Sequence, residues 1–445
     1  MKTPICDFVK EYKNSGKTRL HMPGHKGVSL LGMEGMDITE IVGADSLYDA
    51  SGIILESEKN ATELFGCATY YSTEGSSQCI RAMMYLVCLV AAGRGERPRV
   101  LAARNCHKTF VSASALLDID VEWLFSKEES YLSCNPDLKE LEIRFSRNET
   151  KPTALYLTSP DYLGCVADIE SVARVCKKYG VLLCVDNAHG AYLKFLEKSR
   201  HPIDLGADIC CDSAHKTLPV LTGGAYLHIA RNAPESFFQN AKDALALFGS
   251  TSPSYLILQS LDAANKYIAD EYTQKLAILQ EKLCSVKEKL CKLGYVFYGD
   301  EPTKFTLETK KYGYKGDELA KILEQNGIVC EFFDSDHLVL MFTPEISDGE
   351  LEKLENTLFS INKRTEICEN APLLGVSERR MSIREATMSP CEILPVGECE
   401  GRVLARLGVS CPPAVPIGIC GEVIMQEMIS AFEYYGINSV SVIKK

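Results

Sequence analysis

Three short stretches hold residues whose types could cooperate in one reaction. DSAHKTLPVLTGG, from Asp212 to Gly224, carries Lys216 directly after His215, with no acidic residue after Asp212. A lysine desolvated at a strand end loses proton affinity, and its free amine attacks carbonyls. A solvated loop lysine is the plain alternative. VLLCVD ends an apolar run on Asp186. A carboxylate buried there is costly unless paired, so it either caps the next helix or serves as counter-ion to a protonated ring nitrogen. STEGSSQCIRAMM places Gly75, Ser76 and Ser77 at the start of an apolar helix. Backbone N–H groups and the positive helix end favour an anion there, although a serine N-cap is common. An anion site, an acid and a lysine are the parts a pyridoxal phosphate (PLP) enzyme requires.

The surrounding elements must position these groups. From about residue 60 to 230, apolar runs alternate with helix-like segments. RVLAARN (99–105), TALYLTSP (153–160), GVLLCVDNA (180–188) and ADICCDSA (207–214) read as buried strands. GSSQCIRAMMYLVCLVAAG and DIESVARVCKKYG read as helices, the second stopping on Gly180. Such alternation implies an α/β fold with parallel strands and right-handed crossovers. Each strand run ends in polar residues: Asn105 and His107, Ser159 and Asp161, Asp186 and His189, Ser213 to Lys216. Ligands of open α/β sheets sit beyond the carboxyl ends of the strands, so these groups are expected to converge. STSPSYLILQSLDAANKYIADEY (250–272) reads as a long helix. A β-α-β-β-α pattern follows, then a proline-rich loop and a last helix. The expected organisation is an N-terminal segment (1–60), a large cofactor domain (61–272), a smaller α+β domain (273–371) and a C-terminal segment (372–445).

Composition narrows the function classes. Hydrophobic residues make up 46% and charged residues 24% of 445 residues, as in folded globular chains. The net charge of −12 with no basic block argues against a general nucleic-acid binder. No apolar run is expected to approach the ~18–20 residues needed to span a bilayer, and the N-terminus lacks a signal-peptide core, so a cytoplasmic location is expected. Nineteen scattered cysteines without a C-x-x-C pair read as buried reduced thiols. No metal site is expected, because no Cys/His cluster has ligand spacing.

The stretches together resemble the bacterial ornithine/lysine/arginine decarboxylases of the aspartate-aminotransferase fold, in their short form. The resemblance runs in order through LHMPGHKG (20–27), DITEIVGADSLYDASGII, ATELFGCATYYSTEGSS, RNCHKT (104–109), TSPDYLGCVADI (158–169), VDNAHGAYLKF (185–195), DSAHKTLPVLTGGAYLH and STSPSYLILQSLDAA (250–264), to GRVLA…CPPAVPIGICGE. It implies a large, mostly parallel-sheet PLP domain and a smaller C-terminal α+β domain. It implies that Lys216 bonds the cofactor's aldehyde carbon and Asp186 its ring nitrogen. His107 would stack on the ring and help move protons. Gly75, Ser76 and Ser77 would hold the phosphate, with Ser213 and His215 adding contacts. Ala188 and His189 would lie against the ring, and Thr251 would reach the phosphate of a neighbouring subunit in a homodimer or larger homo-oligomer. The implied reaction converts an amino acid, by family default lysine, arginine or ornithine, to an amine and CO2. Two alternatives keep the cofactor: an aminotransferase-like or oxidase-like reaction, or a low-turnover regulatory PLP-binding protein. The sequence departs from the family at Asn187 (commonly Glu), Glu74 (commonly Asn), Gly223 and Gly224 (bulkier polar residues), Arg406 (a substrate-recognising Glu), and Cys411 and Ala414 (Tyr and Gly).

Overall fold

Short apolar runs that end in polar residues build the central strands of the large sheet. The computed structural model describes residues 1–125, 130–147, 151–407 and 413–445. Seven strands carry this layer: β1 (Ala68–Ser72), β2 (Arg99–Ala103), β3 (Asp120–Leu124), β4 (Ala154–Thr158), β5 (Leu182–Asp186), β6 (Ile209–Asp212) and β7 (Ala225–Ile229). Every residue of β5, β6 and β7 is buried, and β5 and β6 accordingly read as near-continuous apolar runs rather than alternating ones. The four expected strands are β2, β4, β5 and β6. β1, β3 and β7 were not separable by pattern: TYYS and AYLH each mix polar and aromatic residues. The protein is mixed α/β with a large, mostly parallel sheet.

The chain divides into two compact units. The first comprises Met1–Glu96 and Ile169–Lys275. Its strands run in the order β1-β7-β6-β5, with β5 and β6 parallel and β7 antiparallel to both its neighbours. The helix Ile169–Tyr179 delivers the chain to β5 through Gly180, whose φ of +66° makes the left-handed turn. The helix Ser76–Gly93 is long and apolar enough, by length and composition, to cross a membrane, which corrects the expectation that no such run exists. Here it is a core helix: nine of its residues, among them Ile80, Met83, Met84 and Val87, are buried, and it packs on Glu235–Phe248.

The expected helix at 250–272 starts later and ends beyond its expected limit. Ser254 holds extended backbone, so the helix begins at Tyr255. It passes through one π-helical turn at Ile268–Tyr272 and continues as Thr273–Lys292. The continuation follows from Leu276, Leu279, Leu283, Val286 and Leu290, a buried stripe at helical spacing.

The second unit comprises Arg97–Asp168 and Leu276–Lys445. Its parallel strands run in the order β4-β2-β3. A four-stranded antiparallel sheet is built from β8 (Phe297–Tyr298), β9 (Lys304–Glu308), β10 (Phe332–Phe333) and β11 (His337–Met341), in the order β10-β11-β9-β8. Helices Gly316–Gln325 and Asp348–Ser360 contribute Leu319, Leu323, Leu354 and Leu358 to its core. The last strands, β12 (Cys391–Pro395) and β13 (Ser439–Ile443), pair antiparallel over a core that includes Leu404, Ile424 and Phe432.

Candidate active site

Lys216 sits where β6 stops. One helical turn, Ala214–Thr217, follows the strand directly and is too short to carry the side chain away from the sheet end. The Lys216 Nζ lies 3.0 Å from Nε2 of His189, which is itself buried. Asp186, the last residue of β5, is 2% exposed. Its Oδ1 accepts the Ala188 N–H at 3.2 Å and faces the Cys211 thiol at 3.7 Å. Burial, then the nearby Asp186 charge, drives that thiol well above its ordinary value, so it stays protonated. Within the first unit, therefore, the expected acid, lysine, Ala188 and His189 occupy adjacent strand ends.

The loop at Gly75–Ser77, expected to hold an anion, adjoins the lysine loop. Gly75, with φ of +73°, starts the helix Ser76–Gly93. Its N–H donates to Gly223 O at 2.7 Å, and Ser213 Oγ donates to Ser76 Oγ at 2.8 Å. These contacts explain the unusual glycine pair. A Cβ on Gly223, whose φ is +102°, would lie 2.8 Å from Thr73 O, and one on Gly224 would lie 2.2 Å from Val220 Cγ1. At Gly223 a side chain would meet fixed backbone in a left-handed conformation, and at Gly224 the Val220 side chain would have to move. The Gly224 carbonyl also accepts the backbone N–H of His215 at 3.2 Å and its Nδ1–H at 3.0 Å. Burial lowers the proton affinity of His215, which favours the neutral ring with its proton on Nδ1.

The departures at 74 and 406 have local explanations. The Glu74 carboxylate accepts the Ser250 N–H, so it pins the loop that carries the exposed Thr251. The Arg406 guanidinium donates to the carbonyls of Ala386 (3.1 Å), Ala405 (2.9 Å) and Ser389 (3.2 Å). Cys411 lies outside the described residues. Ala414 has a left-handed φ of +57° and its carbonyl accepts the Lys108 N–H at 2.8 Å. His107, in the second unit, precedes the helix Lys108–Leu117 and accepts the Thr109 N–H at 3.2 Å as its N-cap. His21 and His25 bond within their own segment, to Tyr12 and Asp37.

A buried polar network behind the lysine loop had no sequence signature. Asp212, fully buried, receives His201 Nε2 and His228 Nε2 at 3.1 Å each and Asn187 Nδ2 at 2.7 Å. His201 and His228 lie 27 positions apart on a loop and a strand, so spacing could not pair them. The one hint was Asn187 itself, the departure next to Asp186.

The chemistry of these groups suits PLP. A buried carboxylate matches a protonated ring nitrogen, a lysine at a strand end matches an aldehyde, and a helix N-terminus with two serine hydroxyls matches a phosphate. Similarity points the same way. The Orn/Lys/Arg decarboxylase major-domain model matches residues 3–293. An arginine decarboxylase of Bacillus subtilis (strain 168) is 26% identical, over 96% of this chain and 92% of its own. One from Halalkalibacterium halodurans is 27% identical, over 96% and 92%. The structure of the Francisella novicida lysine decarboxylase LdcF superposes with a TM-score of 0.81 at 18% identity, covering 99% of this chain and 81% of that one. The strand-end lysine, its acid and the match across the chain agree: this protein belongs to the Orn/Lys/Arg decarboxylase family.

Proposed function

We propose that the protein is a PLP-dependent decarboxylase of a basic amino acid, with arginine the first candidate and lysine and ornithine next. The observation that carries this reading is the clustering of Lys216, His189 and Asp186 at neighbouring strand ends, with the Ser76–Ser213 pair beside them. The relatives named as arginine decarboxylases support the order of substrates.

Each residue then has a physical task. Lys216 anchors the cofactor's aldehyde carbon, and His189, 3.0 Å from its Nζ, takes up or returns the proton at that atom. Asp186 keeps a proton on the ring nitrogen, because a buried carboxylate stabilises a cation that water would otherwise solvate. Gly75, Ser76, Ser77, Ser213 and His215 hold the phosphate, and His107 covers the ring. Bound there, the cofactor supplies an electron sink for the bond broken at Cα. Burial of Asp186 and His189 limits water and strengthens each of these contacts. The guanidinium of Arg406 is held by three backbone carbonyls. A homodimer, with Thr251 reaching a neighbouring phosphate, completes the proposal.

The test uses the purified chain loaded with PLP. A visible absorbance band, lost with borohydride treatment and absent in Lys216→Ala, is expected. Amino acids are then screened with products identified by mass. An amine plus CO2 supports the proposal; a keto acid points to the aminotransferase-like or oxidase-like reading, and no turnover to the regulatory one. A wild-type protein that takes up no PLP would overturn the cofactor assignment.

A further inference from the structure

The Asp212 carboxylate has no task in the reaction as described, yet it stands one residue before the Ser213–Lys216 turn. It is 0% exposed. Its Oδ2 accepts N–H groups from His201 and His228, and its Oδ1 accepts the side-chain amide of Asn187. Burial alone would raise its proton affinity, but the two histidines outweigh burial and hold it far below the usual carboxylate range. His201 Nδ1 is buried without a partner. A proton there would be an unsatisfied buried donor, so the ring proton belongs on Nε2, pointing at Asp212.

Asn187 is the centre of the turn that presents the reacting groups. Asp186 precedes it, and Ala188 and His189 follow. Its backbone N–H donates to Cys211 O at 3.0 Å and its carbonyl accepts the Gly190 N–H at 2.8 Å. Its side chain makes the 2.7 Å bond to Asp212. Two histidines from separate segments prevent Asp212 from rotating, and Asn187 transmits that fixed position to the turn. Hydrogen bonds to an ionised acceptor are the strong, directional kind.

We propose that Asp212 and Asn187 are positioning residues for the reaction: their bond fixes the turn bearing Asp186 and His189 against the turn bearing Lys216. The proposal rests on the reading of Lys216 and Asp186 as the groups that hold PLP. It makes position 187 a matter of donor chemistry. A carboxylate there would face Asp212 with like charge, whereas an amide supplies the N–H that Asp212 needs.

The experiment compares wild type with Asn187→Ala and Asn187→Gln. Alanine removes the tie, and glutamine keeps an amide but lengthens it by one methylene. In cofactor-free protein, the pH profile of Lys216 acetylation by acetic anhydride is read by peptide mass mapping. In PLP-loaded protein, kcat and KM are measured with the substrate found in the screen. Both variants are expected to shift the Lys216 profile and to lower kcat on the order of tenfold, with KM held within about twofold. Folded variants whose profile and kcat coincide with wild type, with only the unfolding temperature lowered, would overturn the proposal. If Asn187→Ala does not fold, the glutamine variant decides by the same criteria. If wild type takes up no PLP, the parent reading fails while the acetylation profiles still decide the tie. His201, Cys210 and Asp212 also hold ligand atoms within 4.8 Å of one another. A stoichiometric metal ion at these residues in purified wild type would replace the hydrogen bonds and overturn the assignment.

Discussion

At position 406 the arginine closes a helix end rather than facing open space. Its three carbonyl acceptors include Ala386 and Ser389, at the C-terminal end of the helix Ile383–Met388. Arg406→Glu should therefore lower stability by about 2 kcal/mol, read by chemical denaturation, because carbonyls lose a charged donor. The relative rates with lysine, arginine and ornithine should not change. A switch in preference would return residue 406 to the substrate site. Gly224→Ala should cost about 1–3 kcal/mol in the same measurement, through overpacking against Val220. Asp186 stands out in the sequence because it closes an apolar run, where a polar residue is conspicuous, and Lys216 because it follows the next such run by four residues. Asp212 closes such a run too. Its role was not legible, because its partners come from a loop and another strand.

At the scale of elements, the strands β2, β4, β5 and β6 were readable because both faces are covered and nearly every residue is apolar. The helix around 255 was readable in type but not in extent, since a π-turn does not interrupt the apolar stripe. The loop of residues 249–254 is fastened by Glu74 to the start of the helix Ser76–Gly93. Glu74→Ala frees the Ser250 amide, so proteolytic cleavage in 249–254 should accelerate. Glu74→Gln retains an acceptor and should be cleaved at the wild-type rate. Limited digestion followed by mass mapping distinguishes the two outcomes.

For the whole molecule, burial sets the chemistry of its thiols and carboxyls. Ten cysteines are buried among the described residues, and Cys284, Cys291, Cys368 and Cys391 are exposed. Desolvation pushes Cys67, Cys88 and Cys176 up to about 12. Iodoacetamide on native protein at neutral pH should therefore label the four exposed thiols first among those described, which peptide mapping would show. The sequence expectation of small buried hydrophobes holds for the ten, but surface cysteines on helices looked no different in composition. Burial also raises Asp161 and Asp208. A raised carboxyl stabilises the fold below its unfolded value, and that contribution is lost as pH rises through the folded value. Asp208→Asn, which keeps a carbonyl for the Leu183 N–H, should raise the unfolding temperature at pH 8 and leave it nearly unchanged at pH 4. An equal change at both would mean the charge is not responsible.

The bond from Gly75 to Gly223 ties the start of the helix Ser76–Gly93 to the lysine loop. An occupant of the first must then slow solvent access to the second. Inorganic phosphate alone, without the rest of the cofactor, should retard amide deuteration of peptides spanning 213–224.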